Sequence, residues 1–338
     1  MMSSIRVETF GLTDQGIVRH ENQDQFLIAE LAREMRLQGS SLPLAPNAML
    51  TGDTLGHLLM VADGMGGHRA GNEASSLAVH YFLASILNKV RWHTLIQPGD
   101  DSQLVEDLKE MLRQAHDLIV RKSTEEKSLS GMGTTLTMAY IVWPKMVVLH
   151  AGDTRCYLLR DGKLQLLTHD HTLAEEMMRR GELDRKSGER SPWSNVLSNA
   201  LGANAQMVHA EIAHVDLHPG DIVFMCSDGL NKHVSDERIA KELLYGANIT
   251  DAVTRLVRLA IEEGGSDNIT ALAAKWISTL PEKYLRVSSM LPSEPKIFTE
   301  VEHPVLSSEV FETTSNGEIG VSTIDFQIIP TPPPRKKP

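Results

Sequence analysis

Cysteine, aromatic side chains and positive charge are all scarce in this sequence of 338 residues. With only two cysteines, Cys156 and Cys226, disulfide bonds do not form the framework of the fold, and a cytoplasmic location is favoured. Lysine and arginine number 33 against 44 acidic residues, a net charge of −11, and aromatic residues make up 5%. We therefore expect no nucleic-acid partner, because such proteins concentrate cations and stacking side chains.

Long apolar runs are missing as well. No stretch approaches the roughly 18 to 20 residues of a membrane-spanning helix, so we expect no membrane insertion. The first ten residues lack the basic and then apolar pattern of a secretion signal. A hydrophobic content of 41% nevertheless suits a globular protein with a sizeable core.

Proline marks a boundary in the chain. Six of the 15 prolines lie in residues 1–278 and nine in residues 279–338, where serine and threonine are also common. The final Pro330–Pro338 run cannot sustain a helix or a central strand. We therefore predict one domain over residues 1–278 and a Pro/Ser/Thr-rich, disordered tail over residues 279–338, which is either an inert extension or a segment that docks a partner.

Helix-like and strand-like patterns alternate within residues 1–278. Helices are predicted over 72–90, 102–122 and 251–262, and strands over 25–29, 58–62, 135–142, 145–151, 156–160, 163–167, 221–226 and 269–275. Residues 31–56 are expected to form a loop-rich insertion. Two helices followed by antiparallel hairpins indicate an α+β fold and argue against strict βαβ alternation.

Four aspartates, each beside Gly, Ser or Asn, adjoin the ends of predicted strands: Asp63, Asp153, Asp228 and Asp267. Any one of them alone is more readily explained as a turn residue. Four carboxylates brought together at strand ends would repel one another unless a cation lay among them. Carboxylates with backbone carbonyls and water form the oxygen site that Mg²⁺ or Mn²⁺ prefers, so the pattern predicts a divalent metal centre.

Other catalytic sites find no support in the sequence. The phosphate loop of nucleotide hydrolases, the Gly-x-Ser-x-Gly elbow and the His-Glu-x-x-His zinc motif do not occur. Neither cysteine is followed six positions later by arginine, as a cysteine-based phosphatase requires. His169-Asp170-His171 as a zinc site is disfavoured because no further ligands lie nearby in the sequence.

Seven short motifs occur together in a fixed order. They are Arg19-His20-Glu21-Asn22-Gln23-Asp24, Asp63-Gly64-Met65-Gly66-Gly67-His68, Gly131-Met132-Gly133-Thr134-Thr135, Gly152-Asp153-Thr154-Arg155, Thr168-His169-Asp170-His171, Cys226-Ser227-Asp228-Gly229-Leu230 and Ser266-Asp267-Asn268. Each motif is weak alone, but the ordered set resembles the metal-dependent Ser/Thr protein phosphatases of the PPM, or type 2C, family in its bacterial form. The resemblance spans about residues 6–277.

This resemblance implies an α+β fold: a four-layer α-β-β-α sandwich of two mainly antiparallel sheets flanked by helices. It places a mobile flap that influences substrate choice at about residues 173–190. It also implies a protein-serine/threonine phosphatase that hydrolyses phosphoserine or phosphothreonine on proteins with a metal-activated water. Its partners would be phosphoproteins, a Ser/Thr kinase included.

The resemblance also assigns roles to individual residues. Asp63 would bridge two Mn²⁺ or Mg²⁺ ions, the Gly64 carbonyl would complete one coordination sphere, and Asp228 and Asp267 would hold the other ion. Asp153 would help to hold a third, weaker ion. The remaining roles fall to Arg19, which would bind the substrate phosphate, to Asp24, which would orient water, and to Asn268, which would support the metal ligands.

Two positions depart from the animal members of the family. These have glutamate where this chain has Gln23, and histidine, the proposed general acid, where it has Met65. Because methionine cannot donate a proton, the general acid would be His68, His171 or a water molecule. A degenerate module that binds phosphoproteins without cleaving them is the main alternative function, but it is disfavoured because all four metal aspartates are present. Targets in a partner-switching stress or development pathway are a further alternative.

Overall fold

The computed structural model describes residues 5–36, 38, 49–89, 102–189, 191–203, 205–279 and 298–301. Its helices are α1 (His68–Lys89), α2 (Ser102–Glu125), α3 (Leu173–Arg179), α4 (Arg185–Glu189), α5 (Asp228–Asn231), α6 (Asp236–Tyr245) and α7 (Ile249–Glu262). Short 3₁₀ turns occur at Lys127–Leu129 and Pro192–Asn195. None of the described helices is long and apolar enough to span a membrane.

Two antiparallel sheets form the centre of the fold. The first has the order β1-β13-β12-β8-β9, with β1 (Ile5–Asp14), β8 (Arg155–Arg160), β9 (Lys163–Leu166), β12 (Ile222–Cys226) and β13 (Ile269–Ser278). The second has the order β14-β11-β7-β6-β3-β2, with β2 (Gln25–Arg36), β3 (Met49–Ala62), β6 (Leu136–Val142), β7 (Lys145–Ala151), β11 (Glu211–Asp216) and β14 (Phe298–Val301).

Three separate hydrophobic cores show how the layers stack. Alternate residues of both sheets, such as Val61 of β3 and Met225 of β12, pack together in one core between the sheets. The other face of the six-stranded sheet packs against α1 and α2, and that of the five-stranded sheet against α6 and α7. This arrangement confirms the predicted four-layer α-β-β-α sandwich, because each sheet buries both faces.

The local sequence explains where the outer helices begin. Helix α7 starts after Asn248, whose side chain accepts a hydrogen bond from the Asp251 N–H at 2.8 Å. Ser235 plays the same part for α6. These caps satisfy backbone donors that a helix start leaves without partners. Along α2, the buried Leu104, Leu108 and Leu112 repeat every four residues and form the stripe that faces the sheet.

A small third sheet positions the first aspartate motif. It consists of three two-residue strands in the order β10-β5-β4, namely β4 (Gly64–Met65), β5 (Gly133–Thr134) and β10 (Leu201–Gly202). Gly64 pairs with Thr134, which in turn pairs with Leu201. Three stretches that are far apart in the sequence are therefore held side by side at the end of β3.

Strands β1 and β11 and helix α6 were not predicted from the sequence, and two predicted segments also differ from the structure. The insertion predicted at 31–56 includes paired strand residues on both arms of the β2–β3 hairpin, for example Glu34 opposite Thr51. Its strand pattern is weak because β2 is an edge strand whose Ala32, Glu34 and Arg36 are exposed. The strand β14 lies inside the segment predicted as tail, where backbone pairing with β11 orders four residues. The remainder of the predicted tail beyond Thr279 lies outside the described residues.

Candidate active site

The four predicted metal aspartates lie at one edge of the sandwich. Asp63 follows β3, Asp153 follows β7 by two residues, Asp228 begins α5 with Ser227 between it and β12, and Asp267 precedes β13 by two residues. Strands β3 and β7 flank β6 and so run in the same direction, while the end of β12 meets the start of β13. All four aspartates consequently line a single cleft of about 890 Å³.

The backbone of Asp63 is held on both sides by the neighbouring strand. Its N–H donates to Thr135 Oγ1 at 2.9 Å, and its carbonyl accepts from the Thr135 N–H and the Thr134 hydroxyl, each at 2.9 Å. The next residue, Gly64, packs so closely that a Cβ there would lie 2.2 Å from the carbonyl oxygen of Gly71. Glycine at this position lets the start of α1 approach the cleft.

Asp228 has one oxygen held and one oxygen without a partner. Lys232, one helical turn later, forms an ion pair with Asp228 Oδ2. Oδ1 is buried and has no hydrogen-bond partner. Burial lowers the pKa of Lys232, but the carboxylate of Asp228 more than offsets this and raises it above its usual value. Lys232 itself lines the cleft, so it adds a cation that we did not predict.

Asp267 is held by the residue predicted to bind phosphate. The guanidinium of Arg19 donates from Nη2 to Asp267 Oδ2 at 2.8 Å, while the Asn268 N–H donates to Oδ1 at 2.9 Å. The side chain of Arg19 is half-exposed and lines the cleft. The structure therefore brings the predicted phosphate ligand and a predicted metal ligand into direct contact.

Asn268 anchors the loop that carries Arg19. Its Nδ2 donates to the carbonyl oxygens of Gln15 and Glu21, each at 2.9 Å, and its Oδ1 accepts from the Gln23 N–H at 2.9 Å. One buried amide thus holds both sides of the β1–β2 loop. The support predicted for Asn268 is directed at this loop.

Asp24 lies beneath the aspartate cluster and is buried. Ser227 donates its hydroxyl to Asp24 Oδ2 at 2.6 Å, whereas Oδ1 has no hydrogen-bond partner. Burial raises the pKa of Asp24 to about 7, with further increases from the charges of Asp228 and Asp267 and opposition from the hydroxyls of Ser227 and Thr270. Asp24 Oδ1, like Asp228 Oδ1, is therefore a buried carboxylate oxygen without a hydrogen-bond partner.

The donor set fits divalent cations. Burial, followed by repulsion from neighbouring aspartates, raises the pKa values of Asp63 and Asp153 well above the usual range. Uncompensated carboxylates of this kind are unfavourable. Carboxylate oxygens dominate the cluster, and one carboxylate oxygen each of Asp24 and Asp228 is buried without a hydrogen-bond partner. Hard ions such as Mg²⁺ and Mn²⁺ prefer such oxygen ligands.

A second titratable cluster lies behind the Gly152-Asp153 turn. His150, His171 and Glu211 place potential ligand atoms within 4.8 Å of one another. Glu211 lies directly opposite His150 in the β7–β11 pair and accepts hydrogen bonds from His169 Nδ1 at 2.8 Å and His171 Nε2 at 3.0 Å. Although burial raises the pKa of Glu211, these two hydrogen bonds lower it below its usual value.

The hydrogen bonds of the two inner histidines argue against a metal in this second cluster. His171 Nδ1 accepts from the Gly152 N–H at 3.1 Å, so the ring proton is on Nε2 and is donated to Glu211. His150 Nε2 faces the His169 carbonyl at 2.8 Å and must donate, while its Nδ1 accepts from the Thr137 hydroxyl at 2.8 Å. Burial lowers the pKa of His150 to about 4. The cluster is a satisfied hydrogen-bond network.

The structure also locates the candidate general acids and the two positions that differ from the animal members of the family. His171 directs its proton to Glu211, and the His68 side chain lies outside the described residues. Gln23 and Met65 both line the cleft. A Cβ at Gly71 would lie 2.6 Å from Gln23 Oε1, which shows that the Gln23 amide packs against the start of α1.

Sequence reasoning missed three site residues. Lys232 follows Asp228 by four positions, and the helical spacing of that pair was a usable signal. Ser227 and Glu211 offered no such signal. Ser227 reaches Asp24 across 203 residues of sequence, and Glu211 meets His150 only through the register of two strands.

The segment that follows the predicted flap lines the cleft. The predicted flap at 173–190 contains α3 and α4, and the chain continues through the 3₁₀ turn Pro192–Asn195. Residues Asn195–Ala200 line the cleft. The Leu173 N–H donates to the Val196 carbonyl at 2.9 Å, which closes the base of this excursion.

Comparisons with known proteins agree with this geometry. The sequence profile of the protein phosphatase 2C family matches residues 49–272. The serine/threonine phosphatase stp of Listeria welshimeri is 32% identical over 260 residues, which cover 77% of this chain and 92% of that protein. Two similar solved structures extend the likeness to the fold.

The serine/threonine phosphatase of S. agalactiae has a TM-score of 0.66 at 29% identity, covering 80% of this chain and 99% of that chain. The catalytic domain of the phosphatase PstP, solved in complex with two manganese ions, has a TM-score of 0.62 at 28% identity, covering 81% and 99%. The chain belongs to the protein phosphatase 2C family and is a metal-dependent serine/threonine phosphatase.

Proposed function

We propose that this phosphatase removes phosphate from phosphoserine and phosphothreonine on other proteins with a metal-activated water, and that it opposes a Ser/Thr protein kinase in bacterial signalling. The convergence of four aspartates on one cleft, with Asp24 buried beneath them, carries this proposal. Asp24 and Asp228 each have a buried carboxylate oxygen without a hydrogen-bond partner. Arg19 at the same cleft supplies the cation that a phosphate dianion requires.

In this proposal two Mn²⁺ or Mg²⁺ ions would be held by Asp63, which they would share, together with the Gly64 carbonyl, Asp228 and Asp267. Asp153 contributes to a third, weaker ion. When bound, the ions supply an activated water and offset the charge that develops on the phosphoryl oxygens. The hydrogen bonds to the Asp63 backbone support this assignment, because they fix the main chain that carries this carboxylate before any ion binds.

Arg19 and Asp24 act on the reactants. Arg19 orients the phosphate through two parallel N–H donors, and the loop that carries it is anchored by Asn268. Asp24 orients water through Oδ1, since Ser227 already holds Oδ2. Losing one preorganised donor of the Arg19 type typically slows turnover by about 100- to 1000-fold.

The signalling role rests on the origin of the substrate. Phosphate esters on serine and threonine of proteins are produced by protein kinases, so the reaction that supplies this substrate is a Ser/Thr kinase reaction. The Listeria relative carries the name serine/threonine phosphatase, which supports the same substrate class for this chain. The kinase itself is one candidate substrate.

Peptide hydrolysis tests the proposed function. Phosphoserine, phosphothreonine and phosphotyrosine peptides are incubated with the protein in Mn²⁺, in Mg²⁺ and with a chelator. We expect phosphoserine and phosphothreonine turnover with metal and none with chelator. Arg19→Ala should reduce turnover about 100-fold or more, while Arg258→Ala on the exposed face of α7 serves as the matched control. Turnover that survives chelation or is confined to phosphotyrosine would contradict the proposal.

For the tail we propose a docking role, supported by the Pro-rich composition of residues 303–338. Removing residues 303–338 keeps β14 in the sheet and should leave peptide turnover unchanged while weakening action on one full-length phosphoprotein substrate. Removing residues 279–338 also deletes β14 and exposes the edge of β11, so we expect lower stability in that variant. Equal action of the shorter and full-length chains on every protein substrate would contradict docking.

A further inference from the structure

Four exposed apolar side chains lie on the two segments that contribute Val18 and Val196 to the cleft. Ile17 and Val18 are 66% and 61% exposed, and they immediately precede Arg19. Trp193 and Val196 are 49% and 39% exposed and belong to the 3₁₀ turn and its last cap residue. Val18 and Val196 both line the cleft. We call these four residues the apolar rim.

The first half of the apolar rim lies on an anchored loop. The Ile17 N–H donates to the Gly265 carbonyl at 2.8 Å, and Gln15 Nε2 donates to the Arg19 carbonyl at 2.7 Å. Asn268 ties both sides of the same loop. Ile17 and Val18 are therefore held in solvent by fixed backbone, although burying them would be favourable.

The second half is anchored in the same way. The Val196 N–H donates to the Trp193 carbonyl at 3.2 Å, the Leu173 N–H donates to the Val196 carbonyl, and the Ser198 N–H donates to the His171 carbonyl at 2.9 Å. The 3₁₀ turn thus fixes Trp193 relative to Val196. Apolar side chains presented on fixed backbone beside a reactive cleft are characteristic of a binding surface.

Isolated exposed apolar residues elsewhere need no such explanation. Leu244 and Tyr245 at the end of α6 are exposed, and neither of them lines the cleft. Single residues of this kind are common on protein surfaces. The apolar rim differs because Val18, which immediately precedes Arg19, and Val196 line one cleft from two separate segments.

We propose that the apolar rim binds the residues on either side of the phosphorylated serine or threonine, so that the protein selects phosphoprotein segments with large apolar neighbours. This inference rests on the proposed function, since it takes Arg19 as the phosphate ligand. Neighbouring residues of an extended peptide are spaced by about 3.3 Å, so a residue one or two positions from the phosphate lies within reach of a side chain adjacent to Arg19. A tryptophan at the edge of such a surface provides a large contact area at a low entropic cost.

Binding can be separated from catalysis by using a non-hydrolysable probe. Two fluorescein-labelled peptides carry a phosphonate in place of phosphoserine and differ only in having leucine and isoleucine, or glycine and serine, on either side. Their dissociation constants are measured by fluorescence polarisation with Mn²⁺ present. We expect the apolar peptide to bind about tenfold more tightly. Equal affinity of the two peptides would overturn the proposal.

Variants locate the preference on the protein. The double variant Ile17→Ser/Val18→Ser and the separate variant Trp193→Ala should each reduce the tenfold ratio to about threefold or less, whereas Tyr245→Ser should keep it. Because the readout is a ratio within one protein, a general loss of affinity cancels. A ratio that stays tenfold in both rim variants would overturn the assignment.

The same pair of sequences made with phosphoserine reports on the proposed function independently. Absence of turnover for both phosphoserine peptides contradicts the proposed function, while the phosphonate affinities still decide the apolar rim. Turnover of both with equal kcat/KM contradicts the rim and leaves the proposed function intact.

Discussion

The cleft aspartates and the Glu211–histidine cluster meet at the Gly152-Asp153 turn. The carboxyl pKa values of the two clusters are shifted in opposite directions. In the cleft, burial and mutual repulsion raise the pKa values of Asp63 and Asp153. Behind the turn, Glu211 is also buried, but hydrogen bonds from His169 and His171 lower its pKa. Gly152 joins the clusters, since its N–H donates to His171 and its neighbour is Asp153.

The difference shows how a buried carboxylate can be interpreted. Glu211 receives its donors from this chain, so its charge is already compensated and its role is to hold strands and the base of the flap together. The cleft aspartates have too few donors of their own, so their charges become favourable only with a cation from outside. Neutralising one member of each cluster should therefore have opposite effects.

Asp63→Asn should give the largest change. We expect hydrolysis of a phosphopeptide with saturating Mn²⁺ to fall about a thousandfold, because an amide replaces the central carboxylate. The free energy of unfolding of the metal-free protein should not fall, because a repelled charge is removed. Steady-state kinetics and urea denaturation with chelator measure the two quantities. A metal-free variant less stable than the parent would contradict the comparison.

Glu211→Gln should act in the opposite direction. Two histidines lose a charged acceptor within a buried network, so the free energy of unfolding of the metal-free protein should drop by about 3 kcal/mol. Urea denaturation at pH 7 measures this, with Glu125→Gln at the exposed end of α2 as the control, expected within about 0.5 kcal/mol. If Glu211→Gln were as stable as the control, the network would not have the stabilising role given to it.

Asp24 should make the metal-free protein sensitive to pH. Because its pKa is raised to about 7 on folding, its contribution to stability is complete below its unfolded pKa and is lost as pH rises towards 7. Between pH 5 and pH 7.5, the metal-free parent should lose about 2 kcal/mol relative to Asp24→Asn. Parallel stability curves for the two proteins across this range would argue against a raised pKa.

Lys232→Gln should have the smallest effect. Removing a cation that pairs with Asp228 should tighten Mn²⁺ binding about fivefold, since the ammonium and the ion compete for the same negative region. Titration calorimetry of the metal-free protein measures the dissociation constant, and Lys241→Gln on the exposed face of α6 is the matched control. Weaker Mn²⁺ binding would instead assign Lys232 to orienting Asp228.

The layered fold and the cleft aspartates could be predicted because their signals are local. The strand predicted over 145–151 agrees with β7 at both ends, and in the motifs around Asp63 and Asp228 a glycine directly follows the aspartate. The Glu211 network could not be predicted, because it depends on the register between β7 and β11. The extension of the β2–β3 hairpin beyond the predicted strands 25–29 and 58–62 escaped prediction because the edge strand β2 lacks the alternation of a half-buried strand.

Under the proposed function, in which Asp267 holds an ion and Arg19 binds the phosphate, the contact between these two side chains would make the two binding events thermodynamically dependent on each other. While Asp267 Oδ2 is held by the guanidinium, Arg19 has part of its donor capacity engaged within the protein. An ion that took Asp267 Oδ2 as a ligand would release the guanidinium to bind the phosphate. Linkage then requires that phosphate increase the affinity for the ion by the same factor by which the ion increases the affinity for phosphate. A cell could thus gate substrate capture through its free divalent ion concentration.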